Sequence, residues 1–119
     1  MPSNKSFSRT DRISAQLRKE LALLVHAAVR DHALPSVSVS DVEVTRDLDM
    51  ATVYVTTLVA DEGKTATKAL NEMAKEFRHQ LSRMLSIRRV PELRFRYDDS
   101  MDKGERIESL LRKDRETKD

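Results

Sequence analysis

The sequence predicts a two-layer α+β domain in the order helix, strand, strand, helix, strand, with two helices covering one face of a three-stranded sheet. Three observations carry this expectation. Apolar residues recur at spacings of three and four over residues 10–32 and again over 66–85, the signature of a helix with one buried face. Apolar and polar residues alternate over 37–44, 51–58 and 93–97, the signature of half-buried strands. A strand–helix–strand connection closes right-handed and parallel, so the third strand runs parallel to the second, while the first pair forms an antiparallel hairpin.

The first helix carries Ile13, Leu17, Leu21, Leu24, Val25, Ala28 and Val29 on one side and Arg9, Arg12, Arg18, Lys19 and Arg30 on the other. Ser8 or Thr10 can cap it, and Pro35 bars it from continuing. Val37 and Val39 alternate in one phase and Val42 and Val44 in the other, so a bulge is expected near Ser40–Asp41. Residues 45–49, Thr-Arg-Asp-Leu-Asp, supply turn chemistry before the β-branched run 51–58, and 61–65 form a loop into the second helix. That helix buries Ala66, Leu70, Met73, Phe77, Leu81, Met84 and Leu85 and stops before Pro91. Leu93, Phe95 and Tyr97 then face the core while Arg94 and Arg96 face away. Beyond them, Asp102 and Glu105 have the spacing of a capping box opening a short helix through Ile107, Leu110 and Leu111. The expected organisation is a flexible tail over 1–7, one domain over 8–111 and a charged flexible tail over 112–119.

Composition narrows the function. Of 119 residues, 29 are Leu, Ile, Val or Phe, above the ~20 % typical of disordered charged chains. With no Cys, disulfides, thiolate metal sites and a Cys nucleophile are excluded. No apolar run approaches the ~20 residues needed to cross a bilayer, so a soluble cytoplasmic domain with no membrane partner is expected. The net charge of +2 hides a strong partition: residues 1–33 and 66–97 are basic, residues 34–65 and 98–119 acidic. Basic blocks that meet in space favour a polyanionic partner; otherwise they simply solvate helix faces.

Catalytic motifs fail one after another. Gly63-Lys64-Thr65 sits where a phosphate-binding loop would lie, but the pattern needs a second Gly where Leu58 stands, and Asp61 and Glu62 would repel a nucleotide. Asp98, Asp99 and Asp102 near Gly104 evoke a calcium loop, yet Lys103 and Ser109 occupy its glycine and terminal glutamate positions. His26 reads as a boundary residue and His32 and His79 as exposed, none at ligand spacing. Two glycines allow no nucleophile elbow. No enzyme, cofactor, metal or nucleotide site is expected. What stands is a run of six arginines within nineteen positions: Arg78, Arg83, Arg88, Arg89, Arg94 and Arg96. The arginine fork suits phosphate oxygens. The aromatics nearby fall on core faces, so such a surface should read nucleic-acid backbone and shape more than sequence.

Several segments resemble ribosome-binding factor A: Arg12-Ile13, the run Val42-Glu43-Val44-Thr45-Arg46-Asp47-Leu48, and Ala51-Thr52-Val53-Tyr54-Val55-Thr56. So do Arg88-Arg89-Val90-Pro91-Glu92-Leu93-Arg94-Phe95, Tyr97-Asp98-Asp99-Ser100 and Gly104-Glu105-Arg106-Ile107, in order across most of the chain. This resemblance implies a type II KH-like domain in a non-enzymatic factor. Such a factor binds the immature small (30S) ribosomal subunit and its 16S rRNA during late maturation, with most effect in the cold. The Gly-x-x-Gly loop of typical KH domains is absent here, as in the family. Met73-Ala74-Lys75 aligns with the Ala-x-Gly at which the family's second helix kinks, so Lys75 should straighten that helix and add a charge.

By resemblance, the RNA groove lies between helix and neighbouring strand edge. The expected RNA-binding set is therefore Lys75, Arg78, Arg83, Arg88 and Arg89, extended by Arg9 and Arg12, on a monomer. The alternative is a protein–protein module that makes no direct RNA contact.

Overall fold

Ser8 opens the fold with a reciprocal cap. Its hydroxyl accepts from the Asp11 N–H at 3.2 Å while its own N–H donates to the Asp11 carboxylate at 3.1 Å, satisfying donors a helix start leaves orphaned. From this cap α1 spans Arg9–His32 and buries Ile13, Leu17, Leu21, Val25 and Ala28 along one stripe. Ala33 turns left-handed (φ 53°, ψ 42°), donates to the Val29 carbonyl and ends the helix two residues ahead of Pro35. The computed structural model describes residues 8–100. The expected Asp102–Glu105 cap, the short helix through Leu111 and both tails lie outside the described residues.

Strand β1 (Val37–Val44) pairs antiparallel with β2 (Met50–Thr57), and β3 (Glu92–Tyr97) lies parallel to β2, giving the order β1-β2-β3. The phase slip in the sequence is a bulge: Val39 opposes Val55 and Asp41 opposes Tyr54, leaving Ser40 over. The hydroxyl of Ser40 reaches the Tyr54 carbonyl at 3.2 Å and the Asp98 carboxylate at 2.9 Å, spanning the sheet. In the hairpin turn the Asp47 carboxylate accepts from the Thr45 hydroxyl (2.7 Å) and the Asp49 N–H (3.0 Å), which hold its pKa below 3.8. Leu48 takes the left-handed position, φ 62°.

Both helical segments lie on one face of this sheet. Ala51, Val53 and Val55 of β2 are fully enclosed beneath them, and Phe77 meets Phe95 edge-on with ring centroids 5.7 Å apart. No polar or charged residue is buried among the described residues.

The second helix departs from expectation. After a 3₁₀ turn at Ala60–Glu62 it forms as two segments, α2 (Gly63–Glu72) and α3 (Ala74–Met84), broken at Met73 (φ −96°, ψ 1°). Lys75 does not straighten it. A straight helix of this span would run about 33 Å, against the roughly 20 Å of a six-residue strand. The break lets α2 pack on β2 and β3, and α3 on β3 and α1. Asn71, two residues before the break, is hydrogen-bonded to the Phe95 backbone through both ends of its amide.

Three smaller corrections concern single side chains. Met84, in the last turn of α3, is 47 % exposed, and Tyr97 at the end of β3 is only half-buried. His26 is exposed rather than at the boundary.

Candidate nucleic-acid interface

Arg9 and Arg12 stand exposed on the first turns of α1, and Arg88 stands exposed in the loop 85–91 between α3 and β3. Packing of α1 beside α3 brings these sequence-distant arginines to one groove of about 570 Å³, whose apolar part is Ile13, Ala15 and Ile87. None of the three has a carboxylate within ion-pair distance among the described residues. Arg9 and Arg12 also sit at the positive end of the α1 dipole, where a cation is disfavoured by about 0.3–1 kcal/mol. Among the described residues no ion pair engages this cluster.

Lys75 and Arg78 line a second groove of about 420 Å³ with His79, Ser82 and Val90. Contrary to the expectation from sequence, Arg78 is not a free surface cation. It is half-buried, and its Nε donates to the Val90 carbonyl at 3.0 Å, pinning the loop that carries Arg88 to α3. Arg89 reaches back to the hairpin turn, with its Nη1 3.2 Å from the Asp49 carboxylate. Both partners are more than half exposed, so the pair contributes little stability, but it engages the charge. Arg83 stands exposed on the last turn of α3, where a cation suits the helix terminus. The expected set thus divides: Arg9, Arg12 and Arg88 share a groove, Lys75 and Arg78 share another, Arg83 is on the helix end, and Arg89 is paired.

Arg94 and Arg96 emerge on the open face of the sheet, as their alternation predicts. Register sets them in rows, Glu43–Thr52–Arg94 and Asp41–Tyr54–Arg96, each with an acid on β1 and an arginine on β3. Glu43 accepts from the Tyr54 phenol, which raises its pKa above 10.0. Across each row the charges balance, unlike the α1–loop groove.

Sequence reasoning missed Lys64 and Lys68. They line a shallow groove on α2 with Asn71 and Tyr97, and their i, i+4 spacing in a helix was the available signal. The apparent phosphate-loop glycine has a steric reason instead: a Cβ on Gly63 would stand 2.7 Å from two ring carbons of Tyr97. A groove of about 620 Å³ between α1 and β1 mixes Asp11, Asp41 and Glu43 with Arg12 and Arg18 and has no dominant sign. No group of three metal-ligating side chains occurs among the described residues, and no helix there is long and apolar enough to cross a membrane.

Residues 9–111 match the family model for ribosome-binding factor A. The chain belongs to that family. It is 60 % identical over 112 residues to ribosome-binding factor A of Xanthomonas euvesicatoria, covering 94 % of this chain and 85 % of the relative. The Xylella fastidiosa protein of the same name is 57 % identical over 108 residues, covering 91 % and 86 %. Among solved structures, the crystal structure of ribosome-binding factor A from Thermus thermophilus superposes with a TM-score of 0.66 at 28 % identity, covering 76 % of this chain and 97 % of that one. A homology model of the Thermus factor, fitted into a cryo-electron microscopy map of its complex with the 30S subunit, superposes at 0.61 with 30 % identity, covering 72 % and 91 %. Membership of the ribosome-binding factor A family thus rests on nearly the whole described fold.

Proposed function

We propose that the chain is a non-enzymatic assembly factor that binds the immature small ribosomal subunit and grips 16S rRNA phosphates during late maturation. It acts as a cytoplasmic monomer without nucleotide or metal. The observation that carries this reading is the convergence of Arg9, Arg12 and Arg88, from separate parts of the chain, on one groove where none of them forms an ion pair among the described residues. A surface that existed only for solubility would have no need to gather three such guanidiniums in one place. Two further facts support it: the family to which the chain belongs, and the Thermus relative fitted into a 30S complex. Lys75, Arg83, Lys64 and Lys68 extend the same helical side of the molecule, and Arg78 acts mainly by holding the loop in place.

Phosphate gripping releases counterions, so affinity must fall steeply with salt. Titrating the chain onto immature and mature small subunits over a range of salt concentrations tests the whole reading. Five or six phosphate contacts predict a log–log slope of about −5 on the immature particle. A slope flatter than about −2 would mean that the partner is bound by protein contacts.

A further inference from the structure

The N–H groups of Glu92 and Asp98 donate to the Asp49 and Val55 carbonyls flanking and within β2, at 2.9 and 2.7 Å. In a parallel ladder this turns the peptide groups of alternate residues, including Phe95, toward the outer edge of the sheet. An edge peptide has no strand partner. At Phe95 a side chain supplies one: Asn71 Oδ1 accepts from the Phe95 N–H at 2.8 Å, and Asn71 Nδ2 donates to the Phe95 carbonyl at 3.0 Å. A planar amide carries an acceptor oxygen and a donor nitrogen side by side, so the one Asn71 side chain satisfies both groups at once.

The position of this clamp is what matters. Met73 leaves helical geometry two residues after Asn71, its N–H turning to the Leu70 carbonyl at 3.0 Å, and the Met73 carbonyl then starts α3 by accepting from Phe77. No Gly or Pro stands at the break, and these are the usual local causes of a sharp bend. With neither present, the Asn71 amide is the directional contact beside the break that can impose it from outside the helix. Lys75 and Arg78 follow within the first turns of α3, and Arg78 holds the loop that presents Arg88.

We propose that Asn71 is a positioning residue for the RNA-binding face. Its double hydrogen bond to Phe95 sets the α2–α3 break, and the break sets where Lys75, Arg78 and, through Arg78, Arg88 stand. This rests on the phosphate-gripping reading above.

The test compares Asn71→Ala and Asn71→Asp with Val55→Ala, a core truncation in β2 that weakens the fold without touching the break. Asp keeps the acceptor for the Phe95 N–H and loses the donor to its carbonyl, so it supplies a milder variant if Ala fails to fold. Four quantities are read: melting temperature, hydrogen exchange at the Phe95 amide, affinity for immature small subunits, and the salt slope of that affinity. In Asn71→Ala the Phe95 amide should exchange at least about tenfold faster, affinity should fall about tenfold, and the slope should flatten by one to two contacts' worth, about 1–2. Asn71→Asp should move all three in the same direction by less. Val55→Ala should lower the melting temperature and leave the slope unchanged. A steep wild-type slope that both Asn71 variants retain would reduce Asn71 to a stabilising contact and overturn this inference alone. A flat wild-type slope would overturn the phosphate reading and this inference with it.

Discussion

Replacing Arg9, Arg12 and Arg88 together by Ala empties one groove of its cations while leaving the core untouched. All three side chains are exposed and free of ion pairs among the described residues, so no buried partner is stranded. Arg9 and Arg12 lie where the α1 dipole disfavours positive charge by about 0.3–1 kcal/mol, so the melting temperature should stay level or rise slightly. Each lost phosphate contact removes about 0.7–0.9 from the magnitude of the salt slope. Three lost contacts should therefore flatten a slope of about −5 by roughly 2–2.7, with the largest loss of affinity at low salt. The Arg94→Ala, Arg96→Ala pair is the control, because those arginines face Glu43 and Asp41 across their own sheet; it should flatten the slope by less than about 1. Fluorescence anisotropy with labelled protein and purified immature subunits, at five or more salt concentrations, measures both. A triple variant with the wild-type slope, or a larger effect from the sheet pair, would refute the assignment of the groove.

Phe77→Ala should cost about 3–5 kcal/mol, since the ring is 2 % exposed and meets Phe95 edge-on; urea unfolding at wild-type stability would put the ring outside the core. Gly63→Ala should destabilise by about 1–3 kcal/mol through overpacking against Tyr97, despite alanine's better helix propensity, and Tyr97→Leu should relieve most of that loss in a double-mutant cycle; additive losses would refute the steric cause. The Ser100 hydroxyl and N–H, then the Ser40 hydroxyl, hold the Asp98 carboxyl below 3.8. A depressed folded pKa stabilises above the unfolded value and loses that stability as pH falls through the folded one. Asp98→Asn should accordingly lower the melting temperature near neutral pH and shallow its decline below about pH 4; parallel curves for the two proteins would refute the link.

Local patterns carried the fold a long way. The α1 stripe, the bulge at Ser40 and the outward Arg94 and Arg96 each follow from a period of 3.6 or 2 or a slip in it, and the Ser8 cap from residue type, all of which are visible in a single chain. The break at Met73 was not visible in the periodicity, because the apolar stripe Ala66, Leu70, Met73, Phe77, Leu81 continues straight through it; only the family resemblance marked the position, and Lys75 argued against a break there. Its directional contact joins residues 24 positions apart. The candidate site was legible as a set of arginines but not as a surface. Whether Arg88 lies with Arg9 or Arg89 with Asp49 depends on how α1, α3 and the hairpin turn pack, and no local pattern encodes that. Arg78 looked like a solvated helix residue because a side chain that returns to a backbone carbonyl twelve residues on has no signature in spacing.

The parallel placement of β3 has a kinetic consequence. The β1–β2 hairpin closes over a short turn, whereas β3 pairs only after α2 and α3 have crossed the sheet, and non-local pairings of this kind form late. Arg88 and Arg89 belong to the loop that leads directly into β3. A chain caught with the hairpin and α1 formed but β3 undocked has all its arginines and no groove. The groove that unites Arg9, Arg12 and Arg88 is thus complete only once β3 has docked.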